Sequence, residues 1–313
     1  MYDTVNFRLP QSVAGGVDFL SEIPCFLDRV GEHYYNGEAV ITGSLGGLKV
    51  ALNKYQMKIN GGSLCKWYLG DNFKTMGRGD TQRAIEKLSD TLHVPMSKAT
   101  VTRMDIAQNI ITKHPPEVYL GHLGELRRYK RCPMVEIGSL YYTRKIGRLC
   151  FYDKNREQKS HKEPIPELYE GRNVLRYEQR YTNRIASQFK VGEVTGELLY
   201  DEAFYIGVLN RWKEAYKAIQ KINDVSLNFQ AMRTKQQLYK MGVLSLVEQA
   251  GGQIRMIAQI NEAQKRGELS KKQAFDLRQA VNDACKIREG LTAQNEAITE
   301  LDRKVCEAVK FYR

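Results

Sequence analysis

The chain has 313 residues, 42% hydrophobic and 27% charged, with a formal net charge of +12. That is enough for one large or two modest domains with a real core, and no apolar run approaches the roughly 18 residues that cross a bilayer. A positive surplus of this size favours a polyanionic partner, nucleic acid or an acidic membrane surface.

The opening "MYDTVNFRLP" lacks the basic and apolar regions of a signal peptide, so a cytoplasmic protein is expected. Six cysteines (Cys25, Cys65, Cys132, Cys150, Cys285, Cys306) are scattered without a CxxC pair. They read as reduced thiols rather than zinc ligands or a disulfide scaffold.

Val5, Phe7 and Leu9 alternate in "TVNFRLP", the mark of a half-buried strand. "VDFLSEIPCFLDRV" (17–30) reads as an amphipathic helix interrupted at Pro24. Between 38 and 70, runs such as "LKVALNKYQMKI" and "SLCKWYL", punctuated by Gly46-Gly47 and Gly61-Gly62, suggest hairpins. Asp80 or Thr81 would cap a helix running to about Leu92. "TVTRMDIAQNII" (100–111) is a strand, and Pro115-Pro116 opens a helix ending in "RRYKR". "MVEIGSLYY" and "GRLCFYDK" form a hairpin turning at 145–147, and "NVLRYEQRYT" (173–182) is a further strand. The charged stretch 155–172 is a long loop of the kind that is often functional. After about residue 195 apolar residues recur at helical spacing. The expected fold class is α+β: a mainly antiparallel sheet with helices on one face over 1–192, then an all-helical domain, 193–313, for DNA binding or oligomerisation.

Side chains alternate across a strand. Arg103 and Asp105 therefore share a face, as do Arg148, Cys150, Tyr152 and Lys154, and Arg176, Glu178 and Arg180. With the apolar faces against helices, these groups gather on one exposed concave surface, and Glu157 follows just beyond. Carboxylates held together repel unless a cation joins them, so Asp105, Glu157 and Glu178 suit Mg²⁺ or Mn²⁺. A tyrosine hydroxyl is a weak nucleophile until a lysine or metal favours its phenolate. The bland alternative is a packing tyrosine beside cross-strand ion pairs on a solvated face.

Four segments in order, "MYDTVNFRLP", "TRMDIA", "FYDKNREQ" and "LRYEQRYTNR", resemble the replication initiators of filamentous bacteriophages, the gene II/gene X protein family, and related rolling-circle initiators of plasmids and mobile elements. The resemblance covers residues 1–190 and is less clear in the helical tail. It implies a metal-dependent nickase and strand transferase that cuts one strand at an origin, stays on the 5′ phosphate through a tyrosine and leaves a 3′-OH. The nucleophile falls on Tyr152 and its basic partner on Lys154. Metal ligands fall on Asp105, Glu157 and Glu178. Tyr141 and Tyr142, across the hairpin, are the alternative nucleophiles. Arg103, Arg127, Arg128, Lys130, Arg131, Arg144, Lys145, Arg148, Arg176 and Arg180 are candidate DNA contacts, most of them to phosphates, which set register without reading bases. Expected partners are double-stranded origin DNA, single-stranded DNA, a host helicase and polymerase, and further copies of the chain on DNA, in a bacterial cytoplasm and without a membrane. The rivals are a relaxase- or transposase-like initiator and an origin-binding protein without chemistry.

Overall fold

Val5, Phe7 and Leu9 are buried along β1 (Tyr2–Pro10), as their alternation requires. The computed structural model of the protein describes residues 1–222, 233–286 and 295–313, together with the backbone of 224–225 and 292–293. The other strands of the main sheet are β2 (Asp28–Tyr35), β3 (Glu38–Leu45), β4 (Leu48–Asn53), β5 (Gln56–Gly61), β6 (Thr100–Thr112), β7 (Lys130–Met134), β8 (Ser139–Arg144), β9 (Gly147–Asp153) and β10 (Asn173–Tyr181). All ten form one sheet in the order β2-β3-β4-β5-β1-β6-β10-β9-β8-β7, and every neighbouring pair is antiparallel. Helices follow as α1 (Leu64–Leu69), α2 (Arg78–Leu92), α3 (Pro116–His122), α4 (Lys154–Ser160), α5 (Ile185–Phe189), α6 (Glu202–Lys217), α7 (Lys235–Gln249), α8 (Gln253–Lys265), α9 (Lys271–Lys286) and α10 (Glu296–Tyr312). Two-residue strands β11 (Asp224–Val225) and β12 (Thr292–Ala293) pair with each other.

The α+β expectation holds. One face of the sheet is apolar and carries the helical layer. Phe151 on β9 stacks on Tyr177 of β10 at 4.4 Å between ring centroids, and Tyr177 stacks on Trp212 of α6 at 4.5 Å. The Tyr177 hydroxyl also donates to the Trp212 carbonyl at 3.0 Å. Such ring pairs contribute about 0.5–1.5 kcal/mol beyond their buried area. On α10, Ile298, Leu301, Val305 and Val309 recur at helical spacing and enter the same core as α6 and the sheet. Helices α7, α8 and α9 instead bury small clusters of their own around Leu244, Val247, Ala274 and Val281. They lie in sequence between two helices that both pack on the sheet.

Several local expectations are corrected. Residues 17–30 do not form a helix: Pro24 sits in a short 3-10 turn, Ile23–Phe26, and the chain then enters β2. "SLCKWYL" is helix α1, because the Ser63 hydroxyl accepts the Lys66 N–H at 3.0 Å and caps it. Helix α2 begins at Arg78, with Asp80 inside its first turn accepting the Gly77 N–H at 3.0 Å. Helix α3 stops at His122, so "RRYKR" is a turn leading into β7; Arg128 there has φ of 67°.

The hairpin of β8 and β9 turns where the sequence placed it. Gly147 opens β9 so close to β10 that a Cβ there would stand 2.5 Å from the Arg180 carbonyl oxygen. Backbone cannot rotate aside. Gly147→Ala should therefore destabilise the protein by about 1–3 kcal/mol, as overpacking does, and a thermal melt would show it. An unchanged melting temperature would mean the two strands can part without cost.

Candidate active site

The three polar strand faces meet in the register the sheet imposes. Arg180 lies opposite Asp105 across β10 and β6, and Arg176 lies opposite Tyr152 across β10 and β9. Glu178 is thus diagonal to Tyr152, within reach of its ring. The Tyr152 hydroxyl donates to Glu178 Oε1 at 2.7 Å. Arg176 Nε donates to the same oxygen at 2.8 Å, while Arg180 holds Oε2 through Nε and Nη2 at 2.9 and 2.7 Å. Asp105 accepts from Arg103 Nε at 3.0 Å and Nη2 at 2.5 Å, and Arg180 Nε stands 3.7 Å away.

The polar face is not an open concave surface. Asp105, Glu178 and Arg176 are almost wholly buried, and Tyr152 is 9% exposed. Segment 71–76 and α4, with the loop after it, close over them. Arg176 Nη1 donates to the Asn72 carbonyl and to Asn109 Oδ1, each at 3.0 Å, and Nη2 lies 3.0 Å from Asp3 Oδ2. Phe73 packs on Tyr169 of the loop at 4.8 Å. What remains open is a cleft of ≈ 360 Å³ lined by Ile137, Ser139, Tyr141, Tyr152, Arg156, Glu157, Ser160, His161 and Arg180.

Lys154 and Glu157 belong to α4. Asp153 accepts the Arg156 N–H at 3.0 Å and caps that helix. Lys154 and Glu157 then sit one turn apart, with Nζ 2.7 Å from Glu157 Oε2. Lys154 is buried over the Phe73 ring at 5.3 Å, so it reaches the cleft only through Glu157. Of the alternative nucleophiles, Tyr141 lines the cleft. Tyr142 points the other way, buried beside Phe151, and its hydroxyl donates to the Gly124 carbonyl at 2.7 Å.

Burial sets the electrostatics. It raises the Tyr152 pKa well above its ordinary value, against the pull of Arg176. It lowers that of Lys154, with Arg176 adding to the effect. Asp105 is pushed up to about 6 by burial, although Arg103 and Arg180 oppose it. Burial would raise Glu178 too, but Arg176 and Arg180 outweigh it and bring the group down to about 2.

The expected metal ligands are not brought together. Among the described residues no three His, Cys, Asp or Glu side chains gather to hold an ion. The oxygens of Asp105 and Glu178 face arginines, and Glu157 faces Lys154. A divalent ion would have to displace Arg103 or Arg180, so this arrangement does not fit Mg²⁺ or Mn²⁺. Calorimetric titration of the DNA-free protein with Mn²⁺ should show no stoichiometric site that Asp105→Asn removes. Finding such a site would mean the arginines give way to metal.

The candidate DNA contacts divide by exposure. Arg127, Arg128, Lys130, Arg144, Lys145 and Arg148 are exposed. Arg131 is half-buried, its Nε donating to the Leu123 carbonyl at 3.0 Å. Arg103 and Arg180 stand half-buried at the rim of the carboxylates. Arg176 is only 2% exposed, so it is a counter-ion for Glu178 and Asp3 and cannot touch DNA. Asp3, Asn109, Ser139, Arg156 and His161 were not singled out from the sequence. Strand alternation places Asn109 on the face of Asp105, and Ser139 lies opposite Tyr152 in register. Arg156 and His161 depend on the helical turn after β9, which alternation does not foresee.

A family model for the N-terminal part of the phage replication-associated protein, the gene II protein, matches residues 1–212. That span includes the whole main sheet and most of α6. No curated protein matches the chain.

Proposed function

Because the chain belongs to the phage replication-associated family of the gene II protein, we propose that it initiates rolling-circle replication by nicking one strand of origin DNA through Tyr152. The observation that carries this reading is Tyr152 lining a cleft, its hydroxyl bonded to a carboxylate, with Arg156 and Arg180 among the other lining residues. A strand tyrosine that merely packed would bury its ring among apolar groups, as Tyr142 and Tyr177 do.

The phosphate enters against Arg156 and Arg180, whose guanidinium groups match its oxygens. Tyr152 Oη attacks phosphorus, and the bond from phosphorus to the 3′ oxygen breaks. Glu178, kept ionised by Arg176 and Arg180, orients the hydroxyl; the tyrosine proton passes to water in the cleft, and the 3′ oxygen takes up a proton from that water. The products are a 5′-phosphotyrosine and a free 3′-OH. No phosphodiester energy is lost to water, so a 3′-OH can reverse the attack and reseal the strand. The arginines also offset the charge that develops on the phosphoryl oxygens. Lys154 acts one step back, fixing Glu157 at the cleft wall.

No helix among the described residues is long and apolar enough to cross a membrane. The exposed cations of 127–131, with Arg144, Lys145 and Arg148, would hold the duplex by its phosphates. Mapping the adduct tests the reading: after incubation with a supercoiled plasmid carrying the DNA that flanks this protein's gene, nuclease and protease digestion should leave a nucleotide on the Tyr152 peptide. An adduct on any other residue, or nicking with no adduct, sinks it.

A further inference from the structure

The turn between β7 and β8 projects three apolar side chains into solvent. Val135 is 83% exposed, Ile137 52% and Met134 50%. Side chains of this kind are ordinarily scattered singly on a surface, and a cluster of them marks a contact.

The turn is braced. Residues Val135–Ile137 make one 3-10 turn closed by Gly138, whose φ is 61°. The Gly138 carbonyl accepts the Asp153 N–H at 3.3 Å, and Arg156 donates to the Glu136 carbonyl. Arg156 also stands 3.9 Å from Glu117. The bracing elements are the end of β9 and the start of α4, the same elements that hold Tyr152.

Position gives the turn its meaning. Ile137 forms part of the Tyr152 cleft, and on the other side Val135 borders a separate apolar hollow of ≈ 170 Å³ with Leu120, Pro133 and Leu140. Charges of both signs stand around it: Lys130 and Arg131 lead into it, Arg156 lies beneath with Glu117 beside it, and Glu136 is exposed within the turn. Three side chains are far too few for a stable protein interface, which buries about 800 Å² per partner. An apolar point with more cations than acids beside it suits a base step between two phosphate backbones. Proteins that open or kink a duplex insert apolar side chains there.

We propose that Met134, Val135 and Ile137 form a wedge that enters duplex DNA beside the phosphate to be cut and parts the strands. This rests on the reading of Tyr152 as the nucleophile. Tyr152 is only 9% exposed within its cleft, so a phosphate on one unpaired strand reaches its hydroxyl more readily than one in a stacked duplex. The wedge supplies that single strand.

The test uses the full chain with Met134→Ser and Val135→Ser combined, both changes at exposed positions outside the Tyr152 cleft that leave the core intact. Two substrates carry the same flanking-gene DNA: a supercoiled plasmid, and a linear duplex mismatched at the nick site so that it is already open. Thymine reactivity to permanganate on the plasmid reports strand opening directly. The variant should lose opening and nick the plasmid about tenfold or more slowly. Its nicking of the premelted duplex should stay within about twofold of the unaltered protein. Val135→Leu, which keeps the apolar bulk, should behave like the unaltered protein on both. The proposal is overturned if the double variant opens the plasmid normally, or if it loses both substrates equally. Should the unaltered protein open the plasmid yet cut neither substrate, the nickase reading fails while the wedge stands.

Discussion

Tyr152→Phe should lower formation of the covalent protein–DNA adduct by at least about a thousandfold, the scale on which removal of a nucleophile acts. The change deletes one oxygen and keeps the ring, so packing is retained. DNA affinity should stay within about twofold, because phosphate contacts dominate binding. Tyr141→Phe should leave the adduct intact although that ring shares the cleft. Tyr142→Phe should cost about 1 kcal/mol of stability, the worth of its bond to the Gly124 carbonyl, and nothing in catalysis. An adduct that survives Tyr152→Phe and vanishes in Tyr141→Phe would move the nucleophile to β8.

Arg176→Met should be the most destabilising single change in the site. The guanidinium touches Asp3, Glu178, Asn72 and Asn109 from a position with no access to water. Removing one member of such a buried ion pair leaves the carboxylates without compensation, at about 3–5 kcal/mol. The pH dependence follows from Glu178. Its folded pKa of about 2 lies below the ordinary value of 4.5. It therefore contributes stability that is fully present above pH 4.5 and is lost as pH falls through the folded value, in all about 3 kcal/mol. Without Arg176 the folded pKa rises, and the acid limb of the stability curve should move to higher pH. Urea melts at pH 7 and pH 4 measure both effects. A variant as stable as the unaltered protein at pH 7 would show that Arg180 alone suffices for Glu178.

The site was legible in the sequence because strand alternation is a rigid rule. Once 100–111, 147–154 and 173–182 read as strands, the shared face of Asp105, Tyr152 and Glu178 followed from period two alone, although Lys154, expected on that face too, opens α4 instead. What alternation cannot show is what lies on top of a face. The roof made by 71–76 and the loop after α4 turns an expected open surface into a buried ion-pair network with one cleft. Arg176 changes role for that reason, from a DNA contact to an internal counter-ion. Local capping also defeated pattern reading. "SLCKWYL" looks like a strand until the Ser63 hydroxyl closes its first turn, and 17–30 looks like a helix until Pro24 forces a 3-10 turn. Helical spacing after about residue 195 was plain, but the destination of α10 on the sheet was not, because periodicity says which side is apolar and not what that side meets.

That destination bears on the order in which the protein is made. On a ribosome the sheet and α6 emerge first, and α7, α8 and α9 follow before the chain returns. Until α10 arrives, β6 and α3 lack the Glu300 carboxylate that accepts the Lys113 N–H at 3.2 Å and the Tyr119 hydroxyl. Val305 and Val309 are likewise missing from the core. A nascent chain is thus a sheet with part of its apolar face bare, prone to sticking to other chains and dependent on contacts far apart in sequence, which form slowly. Synthesis of the last helix is therefore the step that completes the scaffold behind Tyr152. Incomplete translation products should be insoluble or degraded, which pulse labelling followed by fractionation would show.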